Sequence, residues 1–499
     1  MVHPHRARAR IGRGWLWGAG AAFLAAAPTH AAEWRFEPEI TVGGTYTDNL
    51  ELAPEGLEQS DFVTELRPSF SLEGASSRFE ADIDYQFQYF SFAEDSDQDS
   101  SYHNLAATTT TAIVPERFFF DLNGGYGQSL IDPTDPIPVS NVLVSGNLTD
   151  FWSADANPYF LQPLGARTSA RLSYQYGIVR YPDFDISRGN NVDSVDRQRW
   201  DVSVGTNEDE PGVQWEAGAY HVLADYEDFD RFQSDTAYAQ LAVPLGPTLA
   251  LIGRGGVESD VEEDPRGGGL DEPFWEAGFR WEASARNRLE ARAGERFYGA
   301  TYFFQWNFDG ARFDADVNYQ EAPTTLSIEQ LNPQRVLVPT GNNPGFDVIG
   351  LTNDVYINKE GTAQLSWGLA RNELMLTLRD VQREYVETQE DERESGAALG
   401  WYWRLGARTQ LYAGVYAGRV TFRGTDVTDK LSQATLGATR LLGERTMLEL
   451  SFRYDQRRSD TVQQSNEYTE QAAMLMFTRV FGRNQVEFGG RNNMPALRY

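Results

Sequence analysis

Cysteine is absent from the 499 residues, which excludes disulfide frameworks and every metal site built on thiolates. Histidine is scarce. His3, His5 and His30 lie in the first thirty-two residues, leaving His103 and His221 for the rest of the chain. Neither is accompanied by a zinc-ligand pair or a nucleophile elbow, so no enzyme, metal site or cofactor is expected. Lysine is limited to Lys359 and Lys430, and positive charge is otherwise carried by arginine. A basic balance is missing too. The formal net charge is −30, and a phosphate backbone needs a basic face, which excludes a nucleic-acid partner. After the first thirty residues there is no apolar run long enough for a transmembrane helix, and mean hydropathy over the whole chain is −0.50.

The start of the chain is of a different kind. Arg6, Arg8, Arg10 and Arg13 form a basic region without an acidic residue, an apolar stretch runs from Trp15 to Ala27, and Ala31 and Ala32 close it. This is the layout of a secretory signal peptide over residues 1–32. Without an adjacent arginine pair, the general secretory route is expected. Removing the four leader arginines takes the formal charge from −30 to −34.

A polar mean hydropathy fits a soluble secreted protein, and it also fits a β-barrel, whose alternating strands average to a polar score. The pattern decides between them. From Arg78 to Phe92, Phe79, Ala81, Ile83, Tyr85, Phe87 and Tyr89 fall on one face, and Glu80, Asp82, Asp84, Gln86 and Gln88 on the other. A period of two over that length is a strand. The same alternation recurs in Trp275–Glu282, Arg312–Tyr319 and Leu448–Asp455. Short turns resemble one another: PLGAR at 163–167, RLGAR at 404–408, LLGER at 441–445, SARN at 284–287 and LARN at 369–372. They read as tight hairpins on one rim. The other connections are longer and acidic, as at 94–99, 225–230, 260–264 and 387–394. Short turns on one side and long loops on the other are the asymmetry of an outer-membrane barrel. About 22 strands are expected (20–24, an even number), in one domain over residues 33–481, followed by a tail over 482–499. Sandwiches, propellers and solenoids have shorter strands and lack an outer band of Phe, Trp, Tyr and Leu.

Two stretches carry a family resemblance. ITVGGTYTDNLELAPEG (40–56), leading into DFVTELRPSFSLEG (61–74), and NEYTEQAAMLMFTRVF (466–481) resemble the PEP-CTERM system-associated outer-membrane proteins and the related β-barrel porin 2 group. The resemblance implies a barrel associated with exopolysaccharide gene clusters, with polysaccharide and periplasmic export components as partners. Such proteins tend to stop at the Phe matching Phe481, whereas eighteen more residues follow here.

The candidate functional residues are inward-facing charges and one long loop. Arg280, Arg292, Arg296, Arg312, Arg379, Arg453 and Arg457 fall on polar faces beside Glu276, Glu290, Asp314, Asp316, Glu449 and Asp455. In a barrel they line the lumen, tuning what passes or pairing across strands to hydrate it. Wide barrels of this kind usually carry a plug. The longest break in the alternation, Glu321 to Asn353, contains Leu326, Ile328, Leu331, Val336, Val338 and Ile349, which a solvated outer loop does not need. It is predicted to fold into the lumen as a constriction. Asp95, Asp97 and Asp99 begin like a calcium loop, but Ser100 and Ala106 break the pattern. Gly267 to Gly269 read as a flexible loop. Three functions follow as expectations: a channel or scaffold for exopolysaccharide export, implied by the resemblance; a general or selective porin for small solutes; and a non-transporting surface barrel. All three place the chain in outer-membrane lipid.

Overall fold

The structure, a computed structural model, describes residues 33–181, 192–207, 211–227, 231–266, 268–332, 348–424, 427–460 and 466–482. The leader and all of the tail but Gly482 lie outside the described residues, as do Val336 and Val338. Among the described residues the chain forms twenty-two strands. The first eleven are β1 (Glu33–Thr47), β2 (Asp61–Ala75), β3 (Phe79–Phe92), β4 (Ser100–Val114), β5 (Phe118–Leu130), β6 (Leu148–Pro163), β7 (Thr168–Arg180), β8 (Val195–Thr206), β9 (Gln214–Tyr226), β10 (Phe232–Pro244) and β11 (Leu249–Glu258). The others are β12 (Glu272–Ser284), β13 (Asn287–Arg296), β14 (Gly299–Asp309), β15 (Phe313–Thr324), β16 (Tyr356–Leu369), β17 (Asn372–Tyr385), β18 (Asp391–Gly406), β19 (Thr409–Thr421), β20 (Thr428–Leu441), β21 (Thr446–Ser459) and β22 (Tyr468–Val480).

Each strand pairs antiparallel with the next, and β1 pairs with β22 from Glu39↔Val480 to Thr47↔Ala472. The ladder closes on itself and leaves no edge, a closed β-barrel in which backbone groups are satisfied from strand to strand. All five short turn motifs lie on one rim, joining β6 to β7, β12 to β13, β16 to β17, β18 to β19 and β20 to β21. The acidic connections fall on the opposite rim, as expected. One connection on that rim breaks the rule. Only Phe297 and Tyr298 separate β13 from β14, and Gly299 takes φ 98° to close the hairpin, a backbone conformation that only glycine adopts without strain.

The pleat sorts the faces. On β21, Leu450 and Phe452 are 46% and 52% exposed, while Ser451, Arg453 and Asp455 are buried. Directly paired residues share a face, so this assignment runs around the barrel and makes Leu436, Leu475, Phe477, Trp275, Phe279 and Leu399 parts of one outer apolar band. The band ends below the long-loop rim. On β17, Leu374, Leu376 and Leu378 give way to Asp380, whose outer-face partner is Arg393 (3.0 Å). Strands here run to 16 residues, beyond the 9–11 that cross a bilayer, and the excess stands outside it. Leu450→Arg should therefore cost about 2–4 kcal/mol, the penalty for a cation near the bilayer midplane. The check is the denaturant midpoint of the folded, heat-modifiable band on gels; an unchanged midpoint would place Leu450 off the lipid face.

Candidate functional site

In their described residues, the two longest connections on the long-loop rim turn inward onto the wall. Residues 131–147, between β5 and β6, contain three prolines and could not continue the ladder. Asn147 gathers them into a compact turn: its Nδ2 donates to the carbonyls of Asp132 (2.8 Å) and Pro136 (3.1 Å), and its Oδ1 accepts from Asp132 N (2.9 Å). This loop reaches inward to strands far around the barrel. Arg457 of β21 donates from Nη2 to the carbonyls of Pro133 (3.1 Å) and Thr134 (2.8 Å) and from Nη1 to that of Asp135, while its Nε holds Asp429 Oδ2 (2.5 Å). Tyr468 of β22 donates to the Ile137 carbonyl (3.1 Å), and Asn141 Nδ2 donates to Gln88 Oε1 of β3 (3.0 Å). Apolar contacts complete the seat. Val142 packs with Leu50, Val63, Phe90 and Phe92, and Leu143 and Val139 pack with Leu52 and Tyr468. Phe90 and Phe92 thus break the alternation of β3: they face inward because a loop covers them.

The second connection is 325–355, between β15 and β16. The predicted break began at Glu321, but residues 321–324 continue β15, with Pro323 opposite Ile357. Beyond it Leu326–Gln330 forms the short helix α1. Its polar residues meet the wall of the barrel. Ser327 Oγ and Tyr226 OH share a hydrogen bond (3.0 Å), Gln330 Nε2 donates to Ser129 Oγ (3.2 Å), and Tyr181 OH donates to Gln330 Oε1. Burial pushes the Tyr181 phenol up, so it stays a neutral donor. Leu331 joins Phe151, Val179, Val195 and Val222 of β6 to β9. The two segments also join each other: Leu351 N donates to the Ile131 carbonyl (3.1 Å), and Ile137 and Val348 share an apolar cluster with Leu130, Val420 and Phe422. Leu326, Leu331 and Ile349 are buried and Ile328 half-buried, where a constriction was expected. The 131–147 loop was missed, although Ile137, Val139, Val142, Leu143 and Val144 among its prolines form the signal that singled out the other segment.

The predicted inward charges are brought together as pairs. Arg280 Nε donates to Glu290 Oε2 (2.9 Å), Arg292 Nη1 to Glu276 Oε2 (2.7 Å), and Arg296 Nε to Glu258 Oε2 (3.0 Å). Arg292 also lies over the Phe303 ring (4.2 Å), a cation–π contact. Arg379 bridges Glu360 (3.3 Å) and Glu394 (3.2 Å). Glu449 accepts from Tyr412 OH, and Asp316 from Asn307 Nδ2. Arg453 and Asp455 face inward on β21, but their surroundings are dry, since both are buried. Arg312 departs from the prediction. It lies in the exposed bend before β15, beside the short-turn rim; Asp314, nearby, accepts from Gly310 N (3.2 Å) and Ser366 Oγ (3.2 Å). His103 and His221 face outward: His103 meets Tyr85 OH (2.8 Å) and His221 meets Asp235 Oδ1 (2.6 Å). The residues 95–99 form a 3₁₀ turn in which Asp99 accepts from Phe92 N (2.9 Å).

No family model matches the chain, and neither does any curated protein. Solved structures do. A mutant of the ferric enterobactin receptor PfeA from Pseudomonas aeruginosa aligns over 91% of this chain and 81% of its own, with a TM-score of 0.50 and 11% identity. The siderophore receptor PirA from Acinetobacter baumannii aligns over 89% and 80%, with a TM-score of 0.48 and 8% identity. The outer membrane protein opdK from Pseudomonas aeruginosa aligns over 90% and 98%, with a TM-score of 0.34 and 9% identity. The chain folds as an outer-membrane β-barrel. At such identities the likeness extends to the fold and not to what is bound.

Proposed function

We propose that this protein resides in the outer membrane as a channel for small solutes, closed by its own in-folded loops. The observation that carries it is the Arg457 latch, one guanidinium on the inner wall holding three consecutive carbonyls of a loop. An inward loop anchored by hydrogen bonds rather than by backbone continuity can be released without unfolding the wall. Charged pairs on the inner wall then select among solutes. Polysaccharide export rests on the resemblance of the chain ends alone, and a closed lumen favours small solutes over a polymer. No catalytic role is proposed.

In a density gradient the protein should band with outer membranes. Deleting its gene should reduce solute uptake and leave surface polysaccharide unchanged; loss of surface polysaccharide would restore the export reading. Purified protein in planar bilayers should show brief openings of low conductance. A bilayer that stays silent both with the intact protein and after removal of both in-folded loops would overturn the channel.

A further inference from the structure

Gly177 of β7 is paired with Asp155 of β6 on one side and with Arg197 of β8 on the other. The three therefore form one row on the inner wall, with the outer two backbones about 10 Å apart. Asp155 is 2% exposed and Arg197 6%. Most inner-wall arginines meet a carboxylate, as Arg280, Arg292, Arg383 and Arg453 do. Arg197 makes no ion pair among the described residues, and its Nε has no partner. Asp155 Oδ2 has none either, Oδ1 alone accepting from Asn123 Nδ2 (3.1 Å). Between them Gly177 contributes no side chain, and Leu331 of the in-folded segment fills the gap: a Cβ on Gly177 would lie 2.7 Å from Leu331 Cδ1.

A leucine thus lies between two buried, opposite charges that attract across the gap without touching, each keeping an unpartnered atom. That arrangement is costly, since each charge has lost water and feels its counterpart only at a distance, with no direct contact to offset the loss. A buried polar atom without a partner calls for an explanation, and the row supplies one. We propose that the slot over Gly177 is a binding site for a small zwitterion, an α-amino acid being the simplest, with Leu331 as the occupant it displaces. The carboxylate would lie on the Arg197 guanidinium and the ammonium on Asp155. An anion alone would face Asp155, a cation alone would face Arg197, and a neutral solute would satisfy neither. The inference rests on the channel reading, because the solute reaches the slot from the lumen and unseats α1 as it binds.

The test uses the full chain, purified in detergent and titrated calorimetrically with L-alanine, with acetate, ethylamine and propionamide as partial probes. L-alanine should bind saturably, about tenfold or more tighter than any partial probe. Arg197→Met and Asp155→Asn should each weaken it by about tenfold or more. Leu331→Ala, which empties the slot, should tighten it several-fold, a gain that misfolding cannot mimic. No saturable binding in either the intact protein or Leu331→Ala would overturn the site, as would binding to Arg197→Met equal to that of the intact protein. Conductance of the same samples separates the two readings. A variant that conducts but neither binds nor is blocked by L-alanine sinks the site and keeps the channel; binding without conductance in any variant does the reverse.

Discussion

Arg453→Leu is expected to destabilise the barrel by about 3–5 kcal/mol, the cost of breaking a buried ion pair and stranding one charge. The side chains of Arg453 and Glu470 are both fully shielded from solvent. Nε donates to Glu470 Oε2 (3.2 Å) and Nη2 to Oε1 (3.0 Å), a two-pronged contact, and Thr47 Oγ1 of β1 donates to the same carboxylate (2.8 Å). The cluster therefore ties β21 to β22 and β22 to β1, across the seam where the barrel closes. Leucine would leave Glu470 buried with one hydroxyl donor, beside the equally buried Asp455. The inward direction of Arg453 leads sequence reasoning to the opposite expectation, a harmless change in a hydrated lumen. What reverses it is the 131–147 loop, whose contacts with the neighbouring Arg457 and Tyr468 cover this wall and exclude water. Urea unfolding followed by tryptophan fluorescence measures the effect. The double substitution Arg453→Leu with Glu470→Leu should recover most of the loss, because two apolar groups replace a pair whose net contribution is small. A single-variant loss within about 0.5 kcal/mol, typical of a surface change, would mean that the site is wet.

Deleting residues 326–350 and joining the ends with a short flexible linker should raise single-channel conductance several-fold. A barrel of twenty-two strands encloses a lumen too wide for its own wall side chains to fill, so what limits current is what lies inside. The deletion removes α1, Leu331 and the Val348–Gly350 contact with the other loop, but leaves 131–147 latched by Arg457. Removing 133–146 as well should raise conductance further if, as proposed, the two segments close the lumen jointly. Recordings in planar bilayers at one salt concentration decide it. If the double deletion conducts no more than the intact protein, the loops do not obstruct the pore.

The strands, their number and their faces were legible because alternation is a local property. Whether Phe79 and Tyr89 point one way and Glu80 and Gln88 the other follows from the pleat alone, and closure repeats that choice twenty-two times. The turns were legible for the same reason, since a short motif such as LLGER leaves the chain no option but to reverse. Pairing of Arg280 with Glu290 was half legible: the shared face could be read, the register could not, because it depends on where the turn sets the two strands against each other. Apolar residues in a proline-broken stretch singled out 321–353 and could have singled out 131–147. An inward turn of the 321–353 segment was expected from the sequence; which strands either loop meets was beyond it. Arg457 meets Pro133, Thr134 and Asp135, more than three hundred positions away, and nothing local in either segment encodes the meeting. It exists only once the closed wall has brought β21 within reach of the β5–β6 connection. With the loops seated on it, the wall beneath them is dry, which turns Arg453 from a lumen charge into a buried one and leaves Arg197 and Asp155 on either side of a leucine.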